Sequence, residues 1–347
     1  MKKILVTGGA GYIGSHTVVE LLQAGYEVIS IDNYSNSTPA VYDRIEKICG
    51  RKPLIGAEDC CDKPAMSKQF EQYGQIDAVI HFAASKAVGE SVAQPLHYYR
   101  NNIDALLSIL TLMQEFGVNK LVFSSSCTVY GQAQSLPVTE DSPILPATSP
   151  YGNTKQICEE IIRDTVAATA IKAVSLRYFN PIGAHSSALI GELPRGLPQN
   201  LVPFITQTAM GIRRQLQVFG NDYHTPDGSC IRDYIYVVDL AKAHVAALER
   251  MLGDGFGAPS EVFNLGTGTG RSVLELIRAF EQVTGKPLPY KIVGRRAGDI
   301  EQIWADPSKA NRELNWRADT PLQTILQSAW AWEQQLASFS RKVVAGV

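Results

Sequence analysis

A chain of 347 residues is long enough to bury a sizeable core and falls between one large domain and two lobes. Hydrophobic residues make up 45% and charged residues 19%, an ordinary globular balance. With 32 Lys plus Arg against 34 Asp plus Glu, the formal charge is −2, so there is no basic excess to hold a nucleic-acid backbone or an anionic membrane.

Read in chain order, residues 4–7 form a short apolar strand that runs into Thr7-Gly8-Gly9-Ala10-Gly11-Tyr12-Ile13-Gly14 and then a helix over 13–24. The opening apolar run meets Gly8-Gly9 too soon for a signal-peptide core, and no later stretch approaches a membrane span. A soluble, cytoplasmic protein is expected. Gly8, Gly11 and Gly14 give Gly-x-x-Gly-x-x-Gly between a strand and a helix. A tight turn with bare backbone lets a pyrophosphate approach the helix N-terminus, where free N–H groups and the dipole favour an anion. The next strand, 27–31, ends on Asp32, where an acid takes the adenosine ribose hydroxyls and repels a 2′-phosphate. That predicts NAD over NADP. Asn33 and Ser35-Asn36-Ser37 follow as further donors, a better role for this segment than its Asn36-Ser37-Thr38 sequon. Asp59 is open between two readings, a partner for the adenine amino group or an exposed acid.

Further strands are expected over 78–82, 120–124 and 174–177. They are short, rich in β-branched residues and not alternating, as strands covered on both faces are. Strand–helix repetition predicts an α/β fold, a doubly wound parallel sheet of Rossmann type with right-handed crossovers. After Asn180 the rhythm breaks, with dense Pro and Gly over 181–203. Residues 1–180 are therefore read as a dinucleotide-binding domain, and 181–347 mainly as a smaller C-terminal α/β substrate lobe. Residues of about 230–265 are expected to return to the first domain, through a helix over 239–251 and a strand over 262–265. A helix over 272–284 comes next.

Tyr151-Gly152-Asn153-Thr154-Lys155 follows Ser149-Pro150, an N-cap and a first helical turn. Tyr151 and Lys155 then share one helix face at i and i+4. A phenol with an ordinary pKa of about 10 is a poor base at neutral pH, but a neighbouring ammonium and a cationic nicotinamide both favour the phenolate. Ser124-Ser125-Ser126-Cys127-Thr128-Val129-Tyr130-Gly131 ends a strand, the place where open parallel sheets bind ligands. A hydroxyl there can bond the substrate hydroxyl that Tyr151 deprotonates. Cys127 reads as a buried small residue, since no His lies near it in sequence. The other cysteines, Cys49, Cys60, Cys61, Cys158 and Cys230, form no Cys-x-x-Cys and no zinc spacing with His, so reduced thiols and no metal site are expected.

The glycine pattern, the serine strand and Tyr-x-x-x-Lys together resemble the extended short-chain dehydrogenase/reductase superfamily, and more closely its UDP-galactose/UDP-glucose 4-epimerases. Stretches that carry the closer resemblance include Asp32-Asn33-Tyr34-Ser35-Asn36-Ser37 and the run from His81 to Ser91. Later ones are Arg177-Tyr178-Phe179-Asn180-Pro181, Phe219-Gly220-Asn221-Asp222-Tyr223, Ile231-Arg232-Asp233-Tyr234 and Arg295-Arg296-Ala297-Gly298-Asp299. They reach from Lys3 to about Trp332.

The resemblance implies Tyr151 as general base, Ser126 as its hydrogen-bonding partner, and Lys155 as the residue that holds the nicotinamide ribose and lowers the Tyr151 pKa. The choice of Ser126 over Ser125 comes from aligning Val129-Tyr130-Gly131. It also implies that Tyr12, Ile13, Cys60, Phe82, Ala83, Lys86, Asn101, Ser124, Tyr178 and Phe179 line the cofactor. A UDP-sugar would meet Asn180, Asn200, Leu201, Gln217, Phe219, Arg232, Tyr234, Arg296 and Asp299. The two arginines suit a diphosphate, which wants planar, bidentate cations; on their own they also read as surface arginines in ion pairs. The implied reaction oxidises the sugar transiently at C4 through a 4-keto intermediate and returns hydride to the other face. Sugar-nucleotide dehydratases and decarboxylases share the fold but need an extra carboxylate after the serine strand, where this chain has Cys127-Thr128. A catalytically silent NAD(H)-sensing regulator would have no reason to keep Tyr151, Lys155 and Ser126 together. A homodimer through the helices near 101–114 and 156–168 is implied by the resemblance alone. Ile303 falls at the position bordering the sugar 2′ substituent, where a bulky Tyr goes with plain hexoses and a small residue with tolerance of N-acetyl groups. It is also open to reading as an ordinary core aliphatic.

Overall fold

The computed structural model describes residues 1–253, 256, 258–296 and 298–344. Ala297 of the Arg-Arg-Ala-Gly-Asp stretch therefore lies outside the described residues.

The first half alternates strands and helices as the pattern predicts: β1 (Lys3–Thr7), α1 (Tyr12–Gln23), β2 (Glu27–Ile31), α2 (Ala40–Cys49), β3 (Leu54–Gly56), α3 (Lys63–Tyr73), β4 (Ala78–His81), α4 (Val88–Ala93), α5 (Pro95–Glu115), β5 (Lys120–Ser126), α6 (Pro150–Ala168) and β6 (Lys172–Tyr178). Beyond lie β7 (Asn180–Ile182), α7 (Leu201–Ala209), β8 (Leu216–Phe219), β9 (Ile231–Tyr236), α8 (Val237–Leu252) and β10 (Ser260–Leu265). The chain continues through β11 (Gly270–Ser272), α9 (Val273–Thr284), β12 (Tyr290–Val293), β13 (Gln302–Ile303), α10 (Ser308–Glu313) and α11 (Leu322–Val344).

Seven parallel strands form the main sheet in the order β10-β6-β5-β4-β1-β2-β3. The non-alternating strand composition has a simple cause. Successive side chains point to opposite faces, and both faces are covered. Ile4, Val6, Ala78, Ile80 and Val122 enter one apolar core with α1 and α8. Leu5, Ile29, Val79, Leu121 and Phe123 enter the other, against α3, α5 and α6. Among the described residues no helix is long and apolar enough to cross a membrane.

The later strands are short and pair at long range. β9 is the centre of a small sheet, with β7 and β13 parallel to it and β11 antiparallel. β8 and β12 make a separate parallel pair. Of the segment expected to return, α8 packs on α1 and β10 joins the main sheet beside β6, whereas β9 belongs to the small sheet. β5 runs two residues past the expected 120–124, because Ser125 and Ser126 continue the parallel register opposite Arg177 and Tyr178. β4 stops one residue early, at His81, and Phe82 N–H donates instead to the Thr7 carbonyl at 3.1 Å.

Candidate active site

The turn after β1 is closed by backbone. Gly8 N–H donates to the Ile31 carbonyl at 2.7 Å, and Gly8 sits at φ +69°. A Cβ at Gly8 would lie 2.9 Å from the Ala83 nitrogen, so only glycine allows Phe82-Ala83 to pass this close. α1 begins at Gly11 with no side-chain cap, which leaves the N–H groups over Tyr12 and Ile13 free of a competing side chain. Asp32 is buried beside this turn. One carboxylate oxygen accepts from Ala10 N–H at 3.0 Å; the other accepts from Tyr34 N–H at 2.9 Å and Ser37 Oγ at 2.7 Å. Asn33 donates to Asp59 at 2.9 Å, and Asn36 is exposed at the loop tip. Burial works to raise the Asp59 carboxyl, but hydrogen bonds from Cys61 N–H and Asn33 outweigh it and hold the group below its ordinary value. Cys60 is buried next to it, its thiol pushed up by burial. A bare backbone cradle, an uncapped helix start and a buried carboxylate fit a pyrophosphate and an adenosine ribose.

The serine strand and the Tyr-Lys helix meet at the C-terminal end of β5. Ser149 caps α6, its Oγ accepting from Gly152 N–H at 3.2 Å, with Pro150 in the first turn. Tyr151 is buried, with Ser126 beside its phenol. Lys155 is buried, donates to the Ser124 carbonyl at 2.7 Å and stands 4.8 Å over the Phe123 ring. Ser124 Oγ and Tyr178 OH bond each other. Burial lowers the Lys155 pKa to about 8. Burial, with Tyr178 alongside, raises the Tyr151 phenol well above its ordinary value, and Ser126 only partly opposes this. Burial is the largest influence on the phenol, and the Lys155 ammonium is turned to the Ser124 carbonyl. Cys127 is buried and its thiol is raised to about 12 by burial, so it is no nucleophile at neutral pH.

β9 gathers the residues of the other half. Arg232 is in register with Ile303 on β13, and Tyr234 with Asn180 on β7. Arg296 grips the Asp299 carboxylate through two bonds, 2.6 and 3.2 Å, and Arg232 lies 3.8 Å from the same carboxylate. Arg296 also stacks 5.5 Å over Phe219 on β8. Two guanidinium groups thus converge on one carboxylate, leaving net positive charge. Gln217 is exposed on β8, and Leu201 opens α7. Asn200, the N-cap of α7, turns its side chain away from the helix and donates to Glu192 at 2.5 Å. Lys86 is 3.4 Å from the same Glu192 and 5.8 Å over the Tyr12 ring. Ile303 is 1% exposed, in an apolar cluster with Cys127, Phe179 and Ile300.

Several positioning groups escaped the sequence reading. Asn102, next to the expected Asn101, bonds the Ser85 backbone at 2.8 and 3.0 Å and Thr154 Oγ1 at 3.0 Å, and Thr154 donates to the Tyr151 carbonyl at 2.7 Å. It ties the 85–102 segment to the helix that carries the phenol. Buried Arg177 makes a bidentate pair with Glu159 at 2.6 and 2.9 Å, and Ser125 donates to Glu159 at 2.5 Å, which gives Ser125 a structural role distinct from Ser126. Glu192 had no local signal beyond its place in the Pro-Gly-rich stretch.

The family described as GDP-mannose 4,6 dehydratase matches residues 5–329. The UDP-glucose 4-epimerase of Bacillus subtilis (strain 168) is 52% identical over 331 residues, covering 95% of this chain and 96% of that one. A structure of UDP-glucose 4-epimerase from Bifidobacterium longum in complex with NAD+ and UDP superposes with a TM-score of 0.93 at 48% identity, covering 96% of this chain and 98% of that one. One from Stenotrophomonas maltophila with bound NAD and formylated UDP-arabinopyranose also gives 0.93, at 47% identity, covering 97% and 99%. With relatives this similar across the length of both chains, the chain belongs to the UDP-glucose 4-epimerase family.

Proposed function

We propose that this chain interconverts UDP-galactose and UDP-glucose, using tightly held NAD and no net redox change. The observation that carries the reading is the convergence of buried Ser126, Tyr151 and Lys155 at the end of β5, with Lys155 one helical turn from Tyr151. Bound NAD would supply one thing, the acceptance of the C4 hydrogen as hydride and its return. The rest falls to the protein. The turn at Gly8, Gly11 and Gly14 would take the pyrophosphate, and Asp32, already oriented by three hydrogen bonds, the adenosine ribose.

Ser126 Oγ orients the sugar 4′-hydroxyl, and Tyr151 Oη takes its proton and later returns it. Because burial raises the phenol, the phenolate needs positive charge brought beside it. Lys155 supplies part of that charge while holding the nicotinamide ribose, and the cationic ring supplies the rest. Arg232 and Arg296 clamp the diphosphate, pre-ordered by Asp299, so the 4-keto sugar can turn over without leaving. Cys127 and Thr128 after the catalytic serine offer no carboxylate, which speaks against elimination or decarboxylation.

For the sugar pocket, Ile303 beside Phe179 and Cys127 leaves a branched, stiff wall, favouring plain hexoses over N-acetyl forms. The protein is read as a cytoplasmic homodimer that pairs through the helices near 101–114 and 156–168. The test is incubation with UDP-galactose, UDP-glucose and their N-acetyl analogues, followed by product separation. Interconversion of the first pair without net NADH is expected; stoichiometric NADH with an oxidised sugar would refute the reading.

A further inference from the structure

Two loops from opposite halves of the chain are joined beside the ribose-binding turn. The loop after β2 folds inward on Asp32: Tyr34 N–H and Ser37 Oγ bond the Asp32 carboxylate, and Ser35 N–H bonds Asn33 Oδ1 at 3.0 Å. Tyr34 takes a left-handed backbone, φ 55°, to do so. The Tyr34 and Ser35 carbonyls take no part in these bonds. Both are met by one guanidinium: Arg195 donates to Tyr34 O at 3.0 Å and to Ser35 O at 3.3 Å.

Arg195 belongs to the connection before α7, and that connection is itself anchored. The Glu192 carbonyl accepts from Trp332 Nε1 on α11 at 2.8 Å, and the Glu192 side chain reaches Asn200 at 2.5 Å and Lys86 at 3.4 Å. Segment 192–200 therefore bridges a residue read as a sugar-nucleotide contact, Asn200, and two stretches read as cofactor contacts, Lys86 and the loop 33–37.

We propose that Arg195 is a positioning residue that clasps the ribose loop onto Asp32 and keeps NAD bound through the keto intermediate. The inference rests on the cofactor reading above. A C4 epimerase that lost its reduced cofactor midway would release a keto sugar and stall, so slow loss of the dinucleotide is part of the reaction. Both bonds leave a single guanidinium nitrogen, Nη1, whose two N–H donors meet adjacent carbonyls. Charge-assisted bonds are also worth more than neutral ones. Arg195 touches neither the reacting carbon nor the phenol, so its removal acts on retention.

The test uses full-length protein loaded with NAD and passed into NAD-free buffer, with bound dinucleotide measured over time by chromatography after denaturation. Arg195→Ala is expected to lose NAD about tenfold faster than the unmodified protein, the size of one charge-assisted hydrogen bond. Arg195→Lys, which keeps the charge and N–H donors on a shorter side chain, is expected to fall between them. The melting temperature of the stripped proteins is expected to be the same. Equal retention in Arg195→Ala overturns the proposal. So does a matching drop in the melting temperature of stripped Arg195→Ala, which would make the residue a general brace. Unmodified protein that never holds NAD would overturn the cofactor reading itself, a separate and distinguishable result.

Discussion

The two halves of the site are built by different means. On the cofactor side the working surfaces are backbone and buried side chains: a glycine turn with no room for a Cβ, a carboxylate locked by three hydrogen bonds, and a buried Tyr–Lys pair. On the nucleotide-sugar side they are long charged side chains that hold each other. Arg296, with 44% of its side chain exposed, reaches Asp299 from one direction and Arg232 from another. The first half is fixed by burial and by backbone hydrogen bonds. The second is held by ion pairs that a diphosphate can enter and rearrange. A reaction that must keep its dinucleotide still while a sugar turns over fits that division.

The largest expected effect is Tyr151→Phe. It removes the proton acceptor and leaves the clamp, so kcat should fall about 10²- to 10⁴-fold while UDP-sugar binding by calorimetry stays near normal. Near-normal turnover would mean that the base is elsewhere.

Acid should strike the cofactor half first. His16 on α1, His81 on β4 and His244 on α8 are buried, and burial lowers their pKa values to about 3, 3 and 4, from an ordinary value near 6.5. The unfolded chain takes up their protons below about pH 6.5 and the folded chain does not, so stability falls as pH falls. Each contributes a slope of about 1.4 kcal/mol per pH unit down to its folded pKa. In the nucleotide-sugar half, burial also lowers the partly buried His185. Denaturant midpoints from pH 7 to 5 should drop steeply. A flat profile would show that these histidines take up protons without unfolding.

Arg232→Ala attacks the clamp instead. It leaves Asp299 with one guanidinium and the diphosphate with one fewer, so kcat/KM should fall about 10- to 100-fold while NAD content is unchanged. Loss of NAD in this variant would erase the proposed division.

The smallest change is in sugar range. Ile303→Ser should raise activity on N-acetylated UDP-sugars about tenfold, because it opens the wall beside Phe179 and Cys127. Equal efficiency on both sugar classes in the unmodified chain would show that Ile303 is only a core residue.

Legibility in the sequence follows the same division. β1, β2, β5 and α1 were readable because unbroken apolar runs alternate with helical patterns, and local steric needs mark the turn. Ser149 was readable as an N-cap because capping chemistry is local. The small sheet was not, because β7, β11 and β13 have two or three residues each and exist only by pairing with β9 from distant segments. β13 sets Ile303 against Arg232, a contact that no periodicity announces. The depth of the phenol is not legible for a related reason. An i, i+4 spacing shows that Lys155 shares a face with Tyr151, but it does not show how deeply both are buried or that Lys155 points at the Ser124 carbonyl.

On the proposed mechanism, oxidation and reduction occur on one sugar held by one protein. The direct measurement uses UDP-galactose carrying deuterium at C4, with the UDP-glucose product examined by mass spectrometry and NMR. The account predicts that the label stays at C4 with inverted configuration and that no NADH is released. Loss of the label to solvent, or its appearance in free NADH, would contradict it.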